Sequence, residues 1–249
     1  HVLLDIVVNR IVIRIAVPPV LLVLVDTERL TARVVADLRA DLGGDLELLG
    51  VEHLSGPLTF THLADSVSVD LPVGLASGQT DSFTVHYGGR DTEPSFNRGL
   101  MFRTYTLGGH QGTSVASMSQ PAYAKYWWPC KDKPGDKALS QVDVTVPDHL
   151  TAVSNGNLLG TATAGPGWHT FSWREDYPIA SYLVSVAVSN YSRWGEDCIT
   201  SQGVMPLQHF VYPEDDADSR TDFGRTCEMV DLCEQWFGSY PFADEKYGH

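Results

Sequence analysis

Residues 120–134 read Gln120-Pro-Ala-Tyr-Ala-Lys-Tyr-Trp-Trp-Pro-Cys-Lys-Asp-Lys-Pro134, and shortly after them comes Ser140-Gln-Val-Asp-Val-Thr-Val146. The first stretch sets four aromatics and three prolines around one glutamine, and aromatics beside prolines are as a rule core or inter-strand packing rather than an open surface. The second alternates apolar and polar residues with period two, the pattern of a strand that buries one face. A tight aromatic turn feeding a strand is therefore the local reading.

Working outward, the period of two recurs at 31–38, 66–71, 82–87, 100–106, 151–154, 169–173 and 181–188, separated by Gly, Pro, Asn and Asp. Eight or more such strands imply a mainly β fold, an antiparallel sandwich or saddle. The apolar run Ile11 to Val25 is broken by Arg14 and Pro18-Pro19. It is shorter than the roughly 20 residues of a membrane span, and it reads as two strands. After Asn190-Tyr-Ser-Arg-Trp194 the pattern changes: 205–212 reads as one more strand, followed by a helix. Asp222 is its expected N-cap, with Cys227, Val230, Cys233 and Phe237 at helical spacing before Gly238. A domain boundary is expected near residue 192, giving a β domain over 1–192 and the opening of a second, α/β domain over 193–249.

The 249 residues are 43% hydrophobic and 19% charged, an ordinary globular composition large enough to bury a core without disulfide or metal. A formal charge of −14 argues against nucleic acid or an anionic membrane as partner, since both attract positive fields. Cysteines 130, 198, 227 and 233 show no CxxC spacing, so a zinc ribbon is not expected. A chain starting at His1 carries no signal peptide and reads as processed or shortened.

The order Gln120, then Pro129-Cys130-Lys-Asp132-Lys-Pro134, then Lys137-Ala138 resembles the N-terminal domain of zinc metalloaminopeptidases of the aminopeptidase N and leukotriene hydrolase family. Three further stretches agree in order: Thr145-Val-Pro-Asp-His-Leu-Thr-Ala-Val-Ser-Asn155, Tyr177-Pro-Ile-Ala-Ser-Tyr-Leu183, and Val211-Tyr-Pro-Glu-Asp215. Trp127-Trp128 and Tyr240-Pro-Phe-Ala-Asp-Glu-Lys-Tyr-Gly248 look most like a bacterial, often secreted branch. The likeness is strong over 99–249, weaker back to residue 29, and poor over the first 25 residues.

The resemblance implies a zinc enzyme that removes N-terminal residues from peptides, with metal held by His-Glu-x-x-His and a further Glu. None of the nine histidines stands in that pattern, and the glycine-rich Met-Glu strand that grips the substrate amine is also absent. The expectation is thus that this chain binds no metal itself, ends before the catalytic machinery, is inactive alone, and has as partners the peptide and the remaining catalytic domain. A secreted or periplasmic location follows from the branch it resembles.

Gln120 carries the functional expectation. The resemblance places it where an acidic residue or glutamine accepts a hydrogen bond from the substrate's α-ammonium. Tyr123 lies near enough to wall the same cleft, with a packing role equally open. Trp127 and Trp128 are expected to pack, Asp132 to hold a turn through backbone N–H groups, and Cys130 to be a buried small hydrophobe. Glu214, Asp215, Asp216 and Asp218 suit a helix start better than a calcium loop. His86, His169 and His209 read as isolated structural histidines. The competing reading is a non-catalytic extracellular β-sandwich that binds carbohydrate or protein through its aromatics; a family-derived scaffold without a zinc domain is a third.

Overall fold

The computed structural model describes residues 5–16, 20–32, 37–41, 46–71, 79–89, 98–107, 110–135 and 137–249, with those before 46 and residues 79–82, 107 and 110 described by backbone alone. The chain opens with three strands, β1 (Asp5–Ala16), β2 (Val20–Ala32) and β3 (Asp37–Asp41). Four more follow in short hairpins: β4 (Glu47–His53), β5 (Gly56–Pro57), β6 (Phe60–Leu63) and β7 (Ser66–Asp70). Then come β8 (Gln79–Gly88), β9 (Gly99–Leu107), β10 (His110–Met118), β11 (Ala138–Pro147) and β12 (Thr151–Ser154). The series closes with β13 (Asn157–Thr163), β14 (Trp168–Ile179), β15 (Val186–Ser189), β16 (Ser192–Thr200) and β17 (Gly203–Val211). Two helices, α1 (Asp216–Phe223) and α2 (Thr226–Phe237), precede the short β18 (Tyr247–Gly248). Among the described residues no helix is long and apolar enough to cross a membrane.

The strands form open sheets. The largest has the order β13-β14-β11-β1-β2-β8-β4-β5; beside it lie β12-β15-β10-β9, β3-β7-β6 and β16-β17-β18. Nearly every pairing is antiparallel; β1 against β11 and β17 against β18 are the parallel ones. The fold is therefore mainly β with open antiparallel sheets, as the period-two runs imply.

One core joins the sheets. Val142, Val144 and Val146 of β11, Phe171 and Trp173 of β14, Val115 of β10 and Val188 of β15 are all buried in it. The Trp173 indole N–H donates to the Ala152 carbonyl at 3.0 Å, so the largest ring on β14 is also stitched to β12 in the neighbouring sheet. Trp127, Trp128 and Trp173 are at most 1% exposed; at about 25 cal/mol per Å2, an indole-sized side chain contributes on the order of 4–5 kcal/mol as an upper bound.

Several boundaries differ from the sequence reading. The run 181–188 is a 3-10 turn over Ser181–Leu183 followed by β15, because its residues must turn before pairing. The run 31–38 covers the end of β2 and the start of β3, with 33–36 outside the described residues. Asp222 is not an N-cap but lies within α1; the single expected helix is two, parted at Gly224-Arg225. Past residue 192 there are three strands rather than one, and they carry a small core of their own from Cys198, Met205, Leu207 and Val230. A disulfide, Cys198–Cys227, ties β16 to α2 there, although a chain of this size does not need one to fold.

Candidate functional site

Gln120 and Tyr123 sit on one turn between β10 and β11. Ser119 fixes its entry: its carbonyl accepts the Tyr123 N–H at 2.8 Å and its hydroxyl accepts the Trp127 indole N–H, also at 2.8 Å. A 3-10 turn over Ala124–Tyr126 follows, and the N–H groups of Trp127 and Trp128 both donate to the Ala124 carbonyl. Tyr87, fully buried on β8, donates its hydroxyl to the Trp127 carbonyl at 3.0 Å. The turn is thus pinned by its buried tryptophans while Gln120, its first residue, stays exposed. Tyr123 is half-buried, its ring 5.8 Å from that of Tyr126.

Glycine is required where β9 passes beneath. Gly99 has φ +66°, and a Cβ there would lie 2.7 Å from the Tyr126 carbonyl oxygen. Asp132 accepts the Lys125 N–H at 3.5 Å and the Ser181 hydroxyl at 3.3 Å, joining the Gln120 turn to the 3-10 turn before β15. This is the turn-holding part expected of it. Cys130 is buried and in no disulfide, and Trp127 and Trp128 are buried too, so neither tryptophan offers a stacking platform for a sugar.

A cavity of about 530 Å3 lies on the far side of that second turn. Ala180 and Leu183 line it, with Tyr191, Phe210, Tyr240 and Phe242, and with Glu175, Glu245 and Lys246. Gln120 and Tyr123 are not among its walls, so the expected substrate residues and this cavity are neighbours linked through Asp132 and Ser181 rather than one site.

Three polar residues of the cavity escaped the sequence reading. Lys246 donates to the carbonyls of Ser154 and Gly156 at 2.7 and 2.6 Å and lies 4.5 Å from the Trp173 ring; burial pushes its pKa down to about 8. Glu245 accepts the Asp176 N–H at 2.6 Å. Glu175 is pushed up to about 7, first by burial and then by its hydrogen bond to Glu245 and that carboxylate's charge. Their partners are some 70 to 90 positions away, and no spacing along the chain signals such pairs.

The histidines are not all isolated. His209 is buried between Trp194, stacked at 3.8 Å, and His249, whose Nδ1 is 3.2 Å from its own. Burial, aided by His249, holds His209 down at about 4. His169 instead bonds the Leu150 carbonyl at 3.0 Å, and His86 faces Glu52 at 3.5 Å. The acidic run at 214–218 does open a helix: Asp216 accepts from Ser192 and pairs with Arg220 across one turn. Among the described residues no three His, Cys, Asp or Glu side chains converge as metal ligands, and the residues present do not build a zinc site.

Residues 57–183 match the sequence pattern of the Peptidase M1 N-terminal domain, and the chain belongs to this family of zinc metallopeptidases. Its relatives are aminopeptidases. It is 27% identical to human glutamyl aminopeptidase over 139 residues, 56% of this chain and 14% of that one. It is 25% identical to aminopeptidase N of Plutella xylostella over 241 residues, 95% of this chain and 24% of that one. Among solved structures, an M1 zinc metallopeptidase of Deinococcus radiodurans, an E323A mutant bound to a Tyr-Ser-Ala substrate, superimposes with a TM-score of 0.80. That match covers 98% of this chain and 56% of the other at 22% identity, which shows the shared fold. The chain therefore spans between a seventh and a little over half of the proteins it resembles.

Proposed function

We propose that this chain is the substrate-positioning part of a zinc aminopeptidase, with Gln120 accepting a hydrogen bond from the free amino terminus of a peptide and Tyr123 flanking it. The observation that carries this reading is an exposed amide on a turn that is pinned from within: Ser119 accepts from Trp127 and Tyr123, and the Trp127 carbonyl accepts from Tyr87. An amide oxygen facing an ammonium contributes about 1.5–3 kcal/mol when water is excluded, and it adds no charge of its own. Hydrolysis of the first peptide bond belongs to a zinc site that the described residues do not form.

On the same reading the β domain ends near residue 192, and residues 193–249 belong with the peptidase domain. Met229, Leu232, Trp236 and Phe237 leave an exposed apolar face on α2, which suits packing against the rest of that domain. The Cys198–Cys227 disulfide supports a secreted or periplasmic location, where such bonds persist. Burial of Trp127 and Trp128 removes the aromatic platform on which a carbohydrate-binding role rested.

The test is Gln120→Ala and Gln120→Glu in a protein that carries the zinc domain. The alanine variant is expected to raise KM for peptides with a free amino terminus by about 10-fold or more, and the glutamate variant to lower it. Unchanged KM in both removes Gln120 from the site.

A further inference from the structure

The turn that carries Gln120 and Tyr123 is held from outside as well as from within. Strands β6 and β7 are joined by a two-residue turn, Ala64-Asp65, between the paired residues Leu63 and Ser66. Ala64 has φ +51°, in the left-handed region that glycine ordinarily supplies to so tight a hairpin. The backbone of this tip is therefore formed at some cost. What it presents beside Ala64 is a carboxylate: Asp65 Oδ2 accepts from Lys125 Nζ at 2.7 Å, an ion pair across 60 positions of sequence.

Lys125 is the middle residue of the 3-10 turn Ala124–Tyr126, two positions after Tyr123 and five after Gln120. Its backbone N–H donates to Asp132 at 3.5 Å. Next to it, Tyr126 has the Arg98 guanidinium over its ring at 3.9 Å, and that ring lies 5.8 Å from the ring of Tyr123. The bonds from Ser119 and Ala124 set the internal shape of the turn, and Tyr87 anchors it at the buried Trp127. The Asp65 bond adds an anchor two residues nearer to Gln120, at a half-buried position.

We propose that Asp65 is a positioning residue for peptide binding, acting through Lys125 to hold the end of the turn that bears Gln120 and Tyr123. This rests on the reading that the turn meets the amino terminus of the peptide. A side chain that only completes its own hairpin would bond to neighbouring backbone, whereas this carboxylate reaches across to another element. The two side chains are 22% and 47% exposed, so water and salt screen the pair and its effect is modest.

The test is made in a protein that carries the zinc domain, with peptides that have a free amino terminus. Asp65→Asn keeps a residue suited to the hairpin and removes the charge that holds Lys125; Lys125→Met removes the same bond from the other side and keeps the apolar stem. Each is expected to raise KM about three- to five-fold with kcat within about two-fold of wild type. The double variant is expected to go no further than either alone, because one bond is lost in all three. Lys125→Arg, which keeps the charge, is expected to restore the wild-type KM. Unchanged KM in either single variant overturns the proposal, as do additive effects in the double variant or a loss confined to kcat. Should Asp65→Asn not fold, Lys125→Met against Lys125→Arg decides by the same criteria. Gln120→Ala, measured alongside, separates the two readings. If it raises KM and the Asp65 and Lys125 variants do not, the role of Asp65 falls and that of Gln120 stands. If they raise KM and it does not, Gln120 leaves the site and the tether serves Tyr123.

Discussion

Reduction of the Cys198–Cys227 disulfide is expected to free α2. This helix has few other anchors: Thr226 and Val230 are its buried residues, and Glu234 accepts the N–H groups of Ser201 and Tyr240. The bond closes a loop with a sequence separation of 29, for which the chain-entropy relation gives about 3.5 kcal/mol at 25 °C. Because Cys198, Met205, Leu207 and Val230 form a small cluster apart from the main core, the loss should fall on β16, β17 and α2 rather than spread over the β domain. Exchange of the α2 amides, followed with and without reductant, is expected to accelerate by up to about 400-fold, which is the same energy read as a rate ratio. The main sheet, read at Val142 and Trp173, should not change. A Cys198→Ala, Cys227→Ala double variant should reproduce the effect and add a smaller cost for the space left around a fully buried residue. Equal exchange in α2 with and without reductant would refute the reasoning, since the helix would then be held by its side-chain contacts alone.

Two further outcomes follow from single positions. Gly99→Ala combines a left-handed φ of +66° with a Cβ placed 2.7 Å from a backbone oxygen that the turn cannot move. It is expected to cost more than about 2 kcal/mol in urea unfolding, and a change below about 0.5 kcal/mol would sink the account of the Gln120 turn. His209, held down at about 4 by burial, contributes stability above its ordinary value of 6.5 that is lost as pH falls toward 4. For so fully buried a ring that amounts to up to about 3 kcal/mol, and an NMR titration of His209 with a midpoint near 6.5 would contradict it.

The part of the candidate site that was legible in sequence is the part built locally. Tyr123, Trp127 and Trp128 are held by Ser119 and Ala124, all within nine residues of one another, so the aromatic and proline content of that stretch is enough to announce a pinned turn. Asp132 as a turn holder belongs to the same neighbourhood. The strands at 66–70 and 151–154 were legible because burial alternates along them, and 138–147 because its apolar and polar residues alternate in sequence even though most of it is buried. β13 was not: six of its seven residues are exposed and it lies at a sheet edge, so nothing imposes alternation. β10 carries serines, threonine and glycine in place of a clear apolar stripe.

Taken by itself, the sequence determined the mainly β class, the buried aromatic turn and membership of the M1 family, because these rest on short-range periodicity and on residue order. Tertiary structure alone decided which distant groups meet. Cys198 found Cys227 and left Cys233 free, His209 found His249, and Lys246 reached carbonyls 90 and 92 positions away. β1 lies parallel to β11, although more than a hundred residues separate them. No local pattern encodes such encounters: they are fixed by the burial of whole sheet faces against one another, and the protonation states of Glu175, Lys246 and His209 are consequences of that burial.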